Sequence, residues 1–287
     1  MFKPFSPRTV QWKTVICAKR SQLDVNFTEL WQARDLVKMF VWRDFIAIYK
    51  QTILGPLWHV IQPLLSSLLY ALVFGKIAGL STDNSPTFLF YMVGTILWTY
   101  FSACLINTST TFVTNTQLLG KVYFPRLTIP IAIILSNLIA FSIQVGLTGF
   151  LMLIYTYLDA NFHITGAIVL IPLLLLILAL MSLGGGLIVA ALTTKYRDLA
   201  HLVKFSTQLL MFITPVLYCA SAVPTKYQIF IKFNPLSYIF EAFRFGLLGH
   251  GTVSWCGLLY SSLFTLVTLL TGVILFNKVE QTFMDTV

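Results

Sequence analysis

The chain has 287 residues, 57% of them hydrophobic, 15% aromatic and only 10% charged, with a mean hydropathy of +0.83. A soluble domain is about 45–50% apolar and about 25% charged, so this composition cannot cover an ordinary solvated surface. A soluble enzyme, a disordered regulator and a nucleic-acid module are excluded as the main body, which leaves an all-α integral membrane protein. The net charge of +9 could suit nucleic acid or anionic lipid, but nine of the 19 Lys and Arg residues precede residue 51 and the others dot short gaps between apolar runs. That is a pattern of orientation signals and headgroup contacts, with no nucleic-acid partner expected.

In chain order, residues 1–28 form a charged cytoplasmic extension unlike a signal peptide, so the first span is expected to act as the insertion signal. Residues 29–50 mix aromatics with cations: Arg34, Asp35 and Lys38 share a helical face, whereas Arg43 and Asp44 fall off it. An imperfectly amphipathic helix lying in the cytoplasmic leaflet is expected, with Trp31 and Trp42 as headgroup anchors. A solvated cytoplasmic helix is the alternative, at the cost of exposing many apolar groups.

Spanning the hydrocarbon core as helix takes about 20 apolar residues. Six runs qualify, at about 57–78, 88–113, 127–158, 164–193, 199–223 and 252–276. Helix is forced because lipid cannot satisfy free backbone groups. The third and fourth runs exceed the required length, which implies tilt or extension. Pro130, Pro172 and Pro215 predict local kinks. Gly184-Gly185-Gly186 reads as a close helix contact, and Cys17, Cys104, Cys219 and Cys256 as small packing residues, since they form no CxxC pair.

With the N-terminus inside, the cytoplasmic stretches hold 15 Lys and Arg residues and the other side four, Lys76, Lys226, Lys232 and Arg244. The positive-inside rule therefore places both termini in the cytoplasm. The apolar stretch within 224–249 carries Lys232, Glu241 and Arg244 and is broken by Asn234-Pro235. Each charge at a bilayer centre costs about 2.5–3.5 kcal/mol on insertion scales, so a re-entrant or interfacial helical pair is expected in place of a seventh span.

No GxxxxGK[ST] phosphate loop occurs, so ATP is not bound by that route. His59, His163, His201 and His250 lack metal-ligand spacing, and no metal site is expected. No intramembrane string of carboxylates supports proton coupling. No catalytic residues are assigned: the chain carries no engine of its own. Two short cytoplasmic loops, 115–130 and 193–201, combine cations with Tyr or Phe and could dock a partner protein; pure orientation charges are the alternative.

The blocks LGPLWHVIQPLL at 54–65, FLFYMVGTILWTYFS at 88–102, LLGKVYFPRLTIP at 118–130, KYRDLAH at 195–201, ITPVLY at 213–218 and NPLSYIFEAFR at 234–244 occur in this order. Together they resemble the membrane subunit of type 2 ABC exporters of polysaccharide, over about residues 29–280. The resemblance implies a bacterial inner-membrane permease domain over 29–287, a homodimer of six-span subunits, exporting a lipid-linked polysaccharide. O-antigen of lipopolysaccharide is the first expectation, capsule or wall teichoic acid the alternative, and a multidrug-type exporter a more distant one. It further implies two copies of a separate ATPase subunit, which would hold ATP and Mg, with no cofactor in this chain.

Carried over by residue, ATPase coupling falls on Asn115, Thr116, Gln117, Lys121, Tyr123, Phe124, Pro125 and Arg126. Tyr196, Arg197 and Asp198 fall at the cytoplasmic mouth, where an ion pair within the loop, supporting the helix ends, is the alternative role. An external gate falls on the re-entrant segment, with Asn234, Pro235, Glu241 and Arg244. Aromatic faces stack on the C–H faces of sugars, so Tyr91, Trp98, Tyr100, Phe101, Tyr155 and Tyr218 are candidates for the sugar path, an interfacial aromatic belt being the alternative. Arg34, Lys38, Arg43 and Lys50 are candidates for the phosphate at the lipid–sugar junction, through charge-assisted hydrogen bonds; contact with membrane lipids alone is the alternative. The charge asymmetry makes the topology testable. In a Cys-free background, a cysteine at position 83 or 226 should react with an impermeant reagent from outside the cell, and reaction only from the cytoplasm would invert the topology.

Overall fold

The structure is a computed structural model that describes residues 27–50, 54–119, 124–158, 165–251 and 253–286, and those residues form helices joined by turns and short extended stretches. Among the described residues, five helices are long and apolar enough to cross a membrane. The protein is a multi-pass membrane protein. Most of the extension at 1–28, with Cys17, lies outside the described residues, as do Lys121, Tyr123 and His163.

The N-terminal segment is two helices where one was expected: α1 (Phe27–Gln32) and α2 (Arg34–Tyr49), separated at Ala33. Val37 and Phe40 of α2 are buried, while Trp31, Met39 and Trp42 are exposed. After a turn at Gly55–Leu57, α3 (Trp58–Tyr70) continues as a π-helix over Ala71–Ile77. Gly75 lies there because a Cβ would come 2.5 Å from Thr87 Cγ2 at the start of the next helix.

That helix, α4 (Thr87–Ser109), is the centre of the bundle. Leu89 to Trp98 are all buried, as is 72% of its apolar window, against 11–22% for the other four spans. A helix apolar all round belongs inside, and its neighbours α3, α7 (Thr128–Tyr157), α8 (Ile171–Thr193) and α9 (Leu199–Ile213) wrap it. The expected end at residue 113 is corrected to Ser109. Ser109 and Thr111 hydroxyls donate to the Ile106 and Thr108 carbonyls at 2.7 and 2.8 Å, competing with the helical ladder. Two single turns follow, α5 (Thr111–Thr114) and α6 (Thr116–Leu119).

The third and fourth runs match α7 and α8, the latter entered through a 3-10 turn at Gly166–Leu170. The fifth does not reach residue 223. α9 ends at Ile213 because Pro215 forces Thr214 into an extended conformation, ψ 139°. The expected prolines sit at helix ends, Pro130 and Pro172 in first turns and Pro215 past a C-terminus; Pro63, inside α3, is the internal one. The segment after α9 is a helical pair, α10 (Gln228–Phe233) and α11 (Pro235–Leu248), hinged at Asn234-Pro235 as expected. α12 (Trp255–Thr286) runs ten residues beyond the expected end of the sixth span at 276.

α8 packs most extensively on α12, and glycine makes the contact possible. A Cβ on Gly184 would lie 2.7 Å from the Leu269 backbone N, and one on Gly272 2.6 Å from the Gly184 carbonyl O. Gly186 meets Thr108 of α4 in the same way, at 2.6 Å. The glycine triplet is thus a packing surface on two sides of α8. Gly184→Leu should force α8 and α12 apart, since backbone cannot yield as a flexible side chain can. Loss of a monodisperse peak in detergent extraction checks this, with Gly185→Leu, which meets only a leucine methyl, the milder change.

Candidate functional site

Two ends of the bundle carry the polar chemistry. At the end away from α2, the break at Pro215 leaves the Val216 and Tyr218 carbonyls without helical donors. Arg244 of α11, buried, supplies them: Nη2 donates to Val216 O, and Nη1 to Tyr218 O at 3.3 Å. Its guanidinium lies 3.8 Å from the Phe90 ring centroid, a cation–π contact inside the protein. Gly94, one turn along α4 from Phe90, makes room; a Cβ there would fall 2.7 Å from Val216 O and 2.8 Å from Arg244 Nη2. Tyr218 adds a second tie, its hydroxyl donating to the Phe212 and Ile213 carbonyls at 3.1 and 3.0 Å, free acceptors at the end of α9.

The hinge of the helical pair is anchored on both sides. Asn234 caps α11 by accepting from Leu236 N at 3.1 Å, and its Nδ2 donates to Thr214 Oγ1 at 2.9 Å. Pro235 follows at the first helical position, where its missing N–H costs nothing. Tyr260 and Ser261 of α12 donate to the Phe233 and Pro235 carbonyls at 2.9 and 2.7 Å. Gly249, at φ 73°, ends α11 in the left-handed conformation.

Beside this hinge the loop between α3 and α4 turns through two non-glycine residues of positive φ, Asp83 at 49° and Asn84 at 62°. The Asp83 carboxylate accepts from Ser221 Oγ at 2.9 and 3.1 Å, tying the loop to the chain leaving α9. Between them opens a cleft of 430 Å³, floored by α10 and α11, with Asp83, Gln228, Ser237, Tyr238 and Glu241 in its lining. Burial raises the Glu241 carboxyl to about 7; Arg244 works against the rise and Asp83 adds to it.

At the other end, α2 is seated on α7 by Val37 and by Phe40, whose ring centroid is 5.7 Å from that of Phe124. Phe124 and Arg126 are buried, Pro125 partly so, while Asn115 and Thr116 are half-buried and Gln117 is exposed. The expected docking loop therefore has its FPR block turned inward, holding α2 in place. Phe112 of α5 stacks on Phe276 of α12 at 4.6 Å. Tyr196, Arg197 and Asp198 are exposed before α9; no ion pair joins Arg197 to Asp198, nor does the Asp198 side chain cap α9, and Lys195 lies over the Tyr196 ring at 5.3 Å.

The four candidate phosphate ligands are not equivalent. Lys38 pairs with Asp35 at 3.0 Å, and Arg43 with Asp44 at 2.8 Å while stacking on Phe40 at 4.9 Å. Arg34 lies over Trp31 at 5.7 Å, and Lys50 is exposed at the end of α2. Of the aromatics expected along a sugar path, Tyr91, Trp98, Tyr100 and Phe101 are buried in the bundle, with Trp98 against Phe240 and Tyr100 against Phe141. Burial within this one chain removes them from a passing polymer in this conformation. Tyr155 and Tyr218 are half-exposed.

A family profile described as ABC-2 type transporter matches residues 35–248, from α2 through α11. The chain belongs to the ABC-2 type transporter family. It is 27% identical over 254 residues to the O-antigen export system permease protein RfbA of Klebsiella pneumoniae, covering 88% of this chain and 94% of that one. A protein of the same description from Myxococcus xanthus is 30% identical over 75% of this chain and 81% of its own length. The polysialic acid transport protein KpsM of Escherichia coli is 27% identical over 79% and 87%.

In this ABC-2 transporter, of the residues expected at a gate, Asn234 and Pro235 form the hinge, Glu241 lines the cleft and Arg244 lines the recess beside it. The residues that receive them, Gly94, Val216, Asp83, Ser221 and Ser237, were not singled out. One signal was available: an arginine in an apolar segment requires buried acceptors, and Pro215 frees backbone carbonyls next to a helix end. Gly94→Ala and Arg244→Leu should each lower the thermal midpoint of the purified protein, the second by stranding two buried carbonyls at about 1–3 kcal/mol each. Because both act on one contact, the double variant should lose much less than the two losses combined, and full additivity would show that Gly94 and Arg244 are not coupled.

Proposed function

We propose that this chain is the permease subunit of an ATP-driven exporter that carries a lipid-linked polysaccharide, O-antigen in the first instance, across the bacterial inner membrane. The observation that carries this is the match to O-antigen permeases over nearly their full length. The KpsM likeness makes a capsular polymer the second reading. ATP and Mg belong to a separate ATPase subunit, present in two copies beneath a homodimer of this chain. Rows of exposed leucines and phenylalanines on α3 (Leu65, Leu68, Leu69, Leu72) and α9 (Leu202, Phe205, Leu209, Phe212) support a second copy as neighbour.

The fifth crossing is composite. α9 has 15 residues and spans about 22 Å, less than the roughly 30 Å hydrocarbon core. The largely buried run of turns and bends at 214–219 adds to that length. Both termini then lie in the cytoplasm, in keeping with the charge asymmetry, and α10–α11 with the Asp83 loop form a gate on the outer side. Coupling acts through α2. ATPase movements at the exposed Gln117 and at α2 would reach the bundle through the Phe40–Phe124 contact, whereas Arg34 and Lys50 are the cations in position to meet a lipid-linked phosphate.

Deleting the gene should strip the glycan from the cell surface while lipid-linked polymer accumulates inside; unchanged surface glycan would overturn the export reading. Phe40→Ala and Phe124→Ala should leave insertion intact but reduce polymer-stimulated ATP hydrolysis in the reconstituted complex. Gln117→Ala separates direct docking from seating, since its exposed side chain holds nothing within this chain. If stimulation survives both phenylalanine changes, α2 is an anchor only.

A further inference from the structure

The cleft beside the hinge has more unmet hydrogen-bonding capacity than a gate needs. Ser237 is 1% exposed and its Oγ has no partner, although it lines the cleft. Arg244, 4% exposed and also with an unpartnered Nε, lines the adjoining recess with Asp83 and Glu241. Native interiors rarely strand polar atoms, and one in the wall of an open cleft points to a ligand that completes it. The volume of 430 Å³ lies within the range of small-molecule sites, about 300–1,000 Å³.

The chemistry of the walls selects the ligand. Asp83 accepts from Ser221 Oγ and keeps lone pairs to spare, and Glu241 has no hydrogen-bond partner. Acceptors therefore predominate, as suits a ligand dense in hydroxyl donors. One wall is aromatic: the Tyr238 ring is fixed by its hydroxyl on the Lys232 carbonyl at 3.0 Å and by an edge contact with Tyr260. Its other side rests on Gly257, where a Cβ would clash with the ring. Lys232 also borders the cleft, exposed to solvent, while the two carboxylates sit on the floor and inner rim. A carboxylate-bearing sugar would be repelled by the Asp83 carboxylate, and by Glu241 as it ionises.

We propose that this cleft is an exit subsite for one uncharged pyranose unit of the exported glycan, with Asp83, Ser237 and Glu241 taking its hydroxyls and Tyr238 its apolar face. This rests on the export reading above. The subsite explains why the loop holding Asp83 is tied to the chain leaving α9: a sugar in the cleft would touch both sides of that tie at once. Occupancy would be weak and repeated, unit after unit, as a sliding polymer requires.

Ser254 lines the same cleft and provides the probe position. With Cys17 and Cys256 replaced by Ser, Ser254→Cys in the complex with its ATPase, in lipid nanodiscs, would be labelled by an impermeant maleimide. Mannotriose should slow labelling severalfold, and a sialic acid trimer should not. Glu241→Leu should abolish the protection while the unprotected labelling rate, which reports a folded and accessible cleft, stays the same. Equal protection by both trimers, or by the sialic acid trimer alone, overturns the uncharged-sugar assignment; protection by neither overturns the subsite. Surface glycan lost on gene deletion tests export independently, so a chain essential for export with an unprotected cleft loses only this inference.

Discussion

Arg244 is the constraint on which the architecture of the half of the bundle away from α2 depends. A guanidinium out of water requires acceptors, and the acceptors here exist only because Pro215 stops α9 and exposes the Val216 and Tyr218 carbonyls. Those carbonyls reach the charge only because α4 has a glycine at position 94, and the remaining face of the guanidinium is covered by Phe90. Three segments of the chain thus meet around one cation. Removing the charge leaves carbonyls unpaired, whereas removing the notch leaves the charge unplaced.

α4 carries this arrangement to the rest of the molecule. Its N-terminal end holds Phe90 and Gly94; its C-terminal end runs into the Thr108–Thr111 hydroxyl cluster, the single turns α5 and α6, and Phe112 stacked on α12. It is the most covered helix of the bundle. A close-packed helix transmits displacement because its neighbours leave no void to absorb it. The polar ends of the transporter are therefore joined by an element on which the Thr95, Thr99, Ser102 and Ser109 hydroxyls bond back to the helix while the buried Tyr91, Tyr100 and Thr108 hydroxyls have no partner.

Much of this was legible one residue at a time. The apolar runs marked the order of the long helices, although five of the six are long enough to span and α9 and α12 miss their expected ends by ten residues; the Asn234-Pro235 pair marked the hinge of the α10–α11 pair, and the glycine triplet marked a close contact. The errors share a physical cause. Runs end where hydropathy ends, but helices end where hydrogen bonding changes, so α4 stopped at its serine and threonine hydroxyls and α9 stopped before Pro215 inside apolar sequence. Aromatic residues of α4 looked available to a sugar because composition does not reveal which apolar helix lies at the centre.

By itself, then, the amino-acid sequence determined that the chain lives in a membrane, which segments are apolar enough to cross it, and where charge favours the cytoplasm, since these follow from transfer free energies that each segment carries alone. Only the tertiary structure decided which side chains share a site. Phe124 became a seat for α2 in place of an exposed contact, and Asp83, 138 residues from Ser221, became its partner. Ser237 was left buried with an unused hydroxyl beside an open cleft. Such pairings depend on distances between segments far apart in the chain, which no local property of either segment encodes.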